Sequence, residues 1–158
     1  MVNHVRNAEA ASRAAHDLFA KARRQHPLYG ALRKSELSAE AQEKRYEQAA
    51  KKCEDAAISY LKAGDFSNAA KYFSKSGNIL LGFTDPTTDK NGWNDASYWA
   101  ARNYLYAAVL YSRIDTEEAV KSESIAKGVF KSLGISDKIF KESRLASGMF
   151  VHSIASGA

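Results

Sequence analysis

Two amphipathic helical patterns joined by a glycine-containing turn run from Ala49 to Leu81, and they constrain the fold of this chain more than any other feature. Apolar and small residues recur at steps of three and four on both sides of the turn, which is the spacing of one helix face. Gly64 stands where a helix C-terminal glycine belongs, and Asp65 can cap the helix that follows. Because the connection is so short, the two helices must pack antiparallel as a hairpin.

The same spacing extends over the rest of the chain and predicts an all-α fold. Only two prolines, Pro27 and Pro86, interrupt the sequence, and alanine is frequent. A chain of this length fits one domain, so residues 1–158 are expected to form a single helical domain. The apolar periodicity predicts six helices, arranged as antiparallel hairpins in a helical bundle, over residues 3–25, 38–63, 66–81, 95–114, 115–133 and 136–155.

Residues with short polar side chains mark the predicted helix starts. Ser38 and Ser136 stand at expected N-cap positions, and Asp115 with Glu118 matches a capping box. Gly134 is expected to end the fifth helix.

The fourth predicted helix is apolar nearly all round, which is typical of a helix buried on several sides. We therefore expect it at the centre of the molecule, with Trp99 and Ile114 among its inward-facing residues. Ile139 and Met149 are expected to face the core from the sixth helix. The stretch 82–94 before the fourth helix is rich in turn-forming residues and is predicted to be a loop.

Net charge, cysteine content and the length of apolar runs indicate which partners and which location to expect. The net charge of +5 and isoelectric point near 9.3 favour encounters with acidic partners, including nucleic acid. Cys53 is the only cysteine, so no disulfide can form within the chain, and no apolar leader is visible. A cytoplasmic location is expected. No run of about 18 apolar residues occurs, so no membrane insertion is expected.

Catalytic and metal-binding patterns are missing from the sequence. The histidines show no i, i+4 pairing, and neither a phosphate-binding glycine loop nor a cofactor motif is present. Small helical domains of the HEPN type are ribonucleases that use an arginine and a histidine a few residues apart on one helix. Arg144 and His152 are the nearest such pair, but they are more than two turns apart and about 80° apart around the axis. We expect no enzymatic activity.

The hairpin resembles the tetratricopeptide repeat over residues 44–80. Its helices carry the alternation of small and aromatic residues that the repeat uses, at Ala57, Tyr60, Ala69, Phe73 and Ser76. The phrase YLKAGDFSNAAKYF around the turn is also similar to hairpins of the soluble NSF attachment proteins. The early tryptophan of the repeat is missing, because Cys53 takes its place, and no proline follows the second helix of the hairpin.

The resemblance implies an interaction module, either an adaptor or a subunit of a larger assembly. Such repeats bind other proteins on a concave face lined by their first helices, which here are the second and fourth. The polar residues implied to line that face are mostly cationic: Lys44, Arg45, Lys51, Lys52, Lys62, Arg102 and Asn103. A groove with this lysine content would prefer an acidic segment of a partner protein. The alternative function is nucleic-acid binding through contacts of surface Lys and Arg with the backbone.

Overall fold

The computed structural model describes residues 2–24, 39–83 and 90–157. These residues form six α-helices: α1 (Val2–Arg24), α2 (Ala39–Lys62), α3 (Phe66–Phe83), α4 (Lys90–Tyr111), α5 (Thr116–Ser132) and α6 (Asp137–Ala155). The described part contains no strand. The prediction of an all-α fold with six helices is confirmed, whereas the expected N-cap Ser38 lies outside the described residues.

Successive helices pack against one another, so that α3 lies between α2 and α4. The α2–α3 turn is closed by Gly64 in the left-handed region at φ 78°. Asp65 then caps α3, because its carboxylate accepts hydrogen bonds from the backbone N–H of Asn68 at 3.0 Å and from its side-chain amide at 2.7 Å. The antiparallel hairpin predicted from the glycine and the aspartate is therefore present.

The predicted starts of α5 and α6 are also confirmed. The Asp115 carboxylate accepts a hydrogen bond from the backbone N–H of Glu118 at 3.1 Å, and the Ser136 hydroxyl accepts one from Ile139 at 3.4 Å. Of the two residues of the predicted capping box, Asp115 caps α5, whereas the Glu118 side chain forms an ion pair with Lys121 at 3.3 Å. Gly134 follows α5 with φ 71°, as a terminating glycine requires.

The predicted loop over residues 82–94 is wrong at both ends. Helix α3 continues to Phe83 and α4 already begins at Lys90, so only residues 84–89 remain between them, outside the described residues. Turn-forming residues such as Asn91 and Gly92 have low helix propensity, but such propensity is a weak signal that packing of the whole helix outweighs.

Helix α4 is the centre of the molecule, as predicted. It packs against α3, α5 and α6, and most of its residues from Ala100 to Leu110 are buried. It approaches α3 closely at Gly77, where an added Cβ would lie 2.8 Å from the Tyr104 ring and 3.2 Å from the Ala100 carbonyl oxygen. A side chain at this position would push the two helices apart.

Four apolar residues expected in the core lie on the surface instead. Trp99, Ile114, Ile139 and Met149 are 45%, 49%, 44% and 69% exposed. Ile114 falls beyond the end of α4, and Met149 points away from Val151, through which α6 packs on the core. Trp99 borders an open groove, described below. No helix in the described part of the chain combines the length and apolar character needed to cross a membrane.

Candidate functional site

A groove of about 740 Å³ lies between α2 and α4, with residues of α3 at its floor and Phe150 of α6 at one end. Since α3 runs antiparallel to both of its neighbours, α2 and α4 are parallel and present matching faces to the groove. This is where the resemblance to tetratricopeptide hairpins implied an interaction surface. The described residues that line the groove are Glu47, Ala50, Lys51, Glu54, Ile58, Ser76, Leu80, Asp95, Ala96, Trp99, Arg102, Tyr106 and Phe150.

Arg102 occupies the middle of the groove and bridges its walls. Its guanidinium lies over the Trp99 ring at 3.6 Å from the centroid and 3.4 Å from a carboxylate oxygen of Glu54 on α2. Both members of this ion pair are largely buried, with side chains 28% and 16% exposed. The cation of Arg102 is thus held by an aromatic face and a carboxylate, a fixed geometry that keeps Trp99 presented to the groove.

The floor of the groove rests on a buried polar network that joins three helices. The Ser76 hydroxyl donates to the Ala50 carbonyl oxygen at 2.9 Å and accepts from the Asn103 side-chain amide at 3.0 Å. Asn103 is fully buried, and its Oδ1 has no hydrogen-bond partner among the described residues. The network fixes α2, α3 and α4 at the level of the groove centre.

The two ends of the groove differ in chemistry. Glu47 of α2 and Asp95 of α4 lie at one end, and neither forms an ion pair with a described residue. The other end is apolar: Tyr106 stacks on Phe150 at 4.6 Å between ring centroids, with Ile58 on the opposite wall. The Tyr106 hydroxyl is neutral at pH 7, and burial raises its pKa further above the ordinary value.

The structure places the predicted site residues in different surroundings. Lys51 and Arg102 line the groove, but Lys51 pairs with Asp55 at 3.4 Å on its outer side. Lys44, Lys52 and Lys62 are exposed and Arg45 is partly buried, and none of these four belongs to the described lining of the groove. Lys62 instead borders a second depression with His4 and Ile154.

The expectation that Asn103 lies on the surface is wrong. Its neighbours Tyr104 and Leu105 continue the apolar core around α4, and its amide is used internally by Ser76. An asparagine on a helix that is buried on several sides has no surface to reach. The carboxylates of Glu47, Glu54 and Asp95 were missed as groove residues, although the parallel alignment of the two first helices places them there.

The groups that the sequence offered for metal binding or catalysis can be placed among the described residues. No group of three His, Cys, Asp or Glu side chains that could hold a metal ion occurs among them. Burial raises the pKa of the Cys53 thiol to about 11, so the sulfur is protonated and shielded. Arg144 pairs with Glu123 at 3.1 Å, whereas His152 is exposed.

Comparisons of the chain with protein-family models, with curated proteins and with solved structures found no match. The similarity to tetratricopeptide hairpins therefore stays a prediction from the residues between 44 and 80.

Proposed function

We propose that this chain is a protein-interaction module, an adaptor or a subunit of an assembly, that accepts a segment of a partner protein in the groove between α2 and α4. The observation that supports this most is the exposed Trp99, held by Arg102 in a groove whose volume of about 740 Å³ lies within the range of ligand-binding pockets. Tryptophan and arginine are the residues that most often dominate binding energy at interfaces. The adaptor role also agrees with the resemblance of the α2–α3 hairpin to repeats that bind proteins on the corresponding face.

The sequence suggested two kinds of partner, an acidic protein segment and nucleic acid. An acidic segment was expected because of the lysines on α2, yet carboxylates outnumber cations among the groove residues described above. Nucleic-acid binding remains the alternative function and rests on the net charge of +5. Binding of that kind would involve exposed Lys and Arg outside the groove and would weaken steeply with salt for any sequence of RNA or DNA.

The proposal is tested by selecting displayed random peptides of about a dozen residues on the immobilised chain and measuring the affinity of the enriched peptides by fluorescence anisotropy. Trp99→Ala removes the exposed aromatic surface, and Ala96→Arg places a long side chain in the groove. We expect each variant to weaken peptide binding about tenfold or more while it keeps the helical circular dichroism of the parent.

A matched control lies on the exposed side of α6, where Leu145 and Met149 are about 70% exposed and do not belong to the described groove lining. Leu145→Ala combined with Met149→Ala removes a comparable amount of exposed apolar surface and is expected to leave the affinity unchanged. The proposal is contradicted if no peptide is enriched, or if the α6 variant rather than the groove variants abolishes binding.

A further inference from the structure

We infer that the partner segment in the groove is basic at one end and apolar at the other, and that its cationic end lies between Glu47 and Asp95. This inference rests on the proposed function and specifies the chemistry of the ligand. It reverses the charge that the lysines of α2 suggested from the sequence.

The argument from charge starts with which groove side chains are already paired. The Arg102 cation is taken up by Glu54 and the Trp99 ring, and the Lys51 cation by Asp55. The remaining charged groove residues, Glu47 and Asp95, are exposed and lack an ion pair with any described residue. Two carboxylates from facing helices therefore form an acidic entrance that a lysine or arginine of the partner would neutralise.

Two cations of α2 could oppose this field from within the chain, because Lys44 and Lys51 each lie about one turn from Glu47. Both are exposed; Lys44 does not belong to the described groove lining, whereas Lys51 lines the groove and pairs with Asp55. Charges on exposed side chains are screened by water and salt, so they offset the acidic entrance only partly.

The apolar requirement comes from the opposite end of the groove. Ile58 and the stacked rings of Tyr106 and Phe150 are all partly or fully buried and carry no charge at neutral pH. A cation at this end would lose its water without gaining a partner, whereas an aliphatic or aromatic side chain would gain contact area. The groove thus distinguishes the two ends of its ligand.

The helix geometry sets the distance between the two ligand groups. The Glu54–Arg102 contact fixes the alignment of the parallel helices, and Glu47 precedes Ile58 by about three turns, or about 16 Å along the axis. The cation and the apolar anchor of the ligand are therefore separated by about 11 residues if the segment is helical, or by about five residues if it is extended.

The test uses the peptide that is most enriched in the selection above, together with two synthetic versions of it in which every Lys and Arg is replaced by Gln or by Glu. The parent peptide is expected to carry basic residues at one end and apolar residues at the other. The Gln version should bind about threefold to tenfold more weakly and the Glu version weaker still, and raising NaCl from about 0.05 M to about 0.5 M should weaken the parent peptide most.

The protein side of the test is the double variant Glu47→Gln with Asp95→Asn. It should weaken the parent peptide about threefold to tenfold and leave the Gln version unaffected. Glu117→Gln with Glu142→Gln is the matched control, because it removes two exposed carboxylates from α5 and α6 and should change neither affinity.

The failure of this inference can be distinguished from failure of the proposed function. Enriched peptides that are acidic, or that bind equally well to the Glu47 and Asp95 double variant, overturn the inference while Trp99→Ala still weakens binding. Peptides whose affinity changes neither with the Glu47 and Asp95 double variant nor with Trp99→Ala overturn both the inference and the proposed function.

Discussion

Ser76 connects three helices through a single hydroxyl, and the consequences of removing it can be predicted. Ser76→Ala removes the hydroxyl that donates to the Ala50 carbonyl and accepts from the Asn103 amide in a fully buried site. We expect the free energy of unfolding in urea to fall by about 1–3 kcal/mol. In a double-mutant cycle with Asn103→Ala, the two losses should couple by about 0.5–1.5 kcal/mol. Strictly additive losses would show that the network does not act as a unit.

Because the Cys53 thiol is buried, we expect the protein to lose stability in alkaline solution. Burial raises its pKa from the usual 9.0 to about 11, so the unfolded chain loses the thiol proton at a lower pH than the folded chain. The buried thiol therefore makes its full contribution to the free energy of unfolding below pH 9. This contribution, about 2–3 kcal/mol, is lost as the pH rises from 9 through 11.

The measurement is urea unfolding between pH 8 and 11.5 for the parent and for Cys53→Ala. Burial also raises the pKa of Tyr104 to about 12, so part of the alkaline loss is shared by both proteins. We expect the parent to lose more stability than the variant between pH 9 and 11. Equal losses would contradict the burial of the thiol.

At the scale of the helices, the contact between α3 and α4 depends on the missing side chain of Gly77. Gly77→Ala would improve helix propensity by up to about 1 kcal/mol but places a methyl group against the Tyr104 ring and the Ala100 backbone. The ring cannot yield freely, because its hydroxyl donates a hydrogen bond to Asn78. We expect a net loss of about 1–3 kcal/mol in thermal or urea unfolding.

Gly128 supplies the matched control for that prediction. It lies inside α5, and nothing lies within 4 Å of an added Cβ. Gly128→Ala should therefore raise the stability by about 0.4–1 kcal/mol. If both alanine variants stabilise the protein equally, α3 and α4 do not approach as closely as described.

Most helix boundaries could be predicted from local chemistry. Gly64, Asp115 and Ser136 act on backbone groups within one turn, so their roles are readable without knowing the fold. The helical start of α4 at Lys90 could not be predicted, because the residues that follow it are individually poor helix formers and gain their structure from the rest of the helix.

On the scale of the whole molecule, the resemblance to tetratricopeptide hairpins implied a binding face on α2 and α4, where a groove lies, but the sequence did not predict the surface of that groove. Periodicity predicts which side of a helix faces the core. On that basis Asn103 was expected on the surface and Trp99 in the core, whereas Asn103 is buried and Trp99 is exposed. The charge of the groove depends on which partners meet across helices, as Glu54 and Arg102 do. Such pairing is set by the alignment of α2 with α4, which no local pattern contains.

The measurement that tests the groove most directly is amide chemical-shift mapping of the isotopically labelled chain during titration with the most enriched peptide. We predict that the largest shifts occur on the facing sides of α2 and α4, around Glu54, Ile58, Trp99 and Arg102, and that they are lost in Trp99→Ala. Shifts concentrated on the exposed side of α6 around Leu145 and Met149, with the α2–α4 groove unaffected, would contradict the assignment of the groove as the binding site.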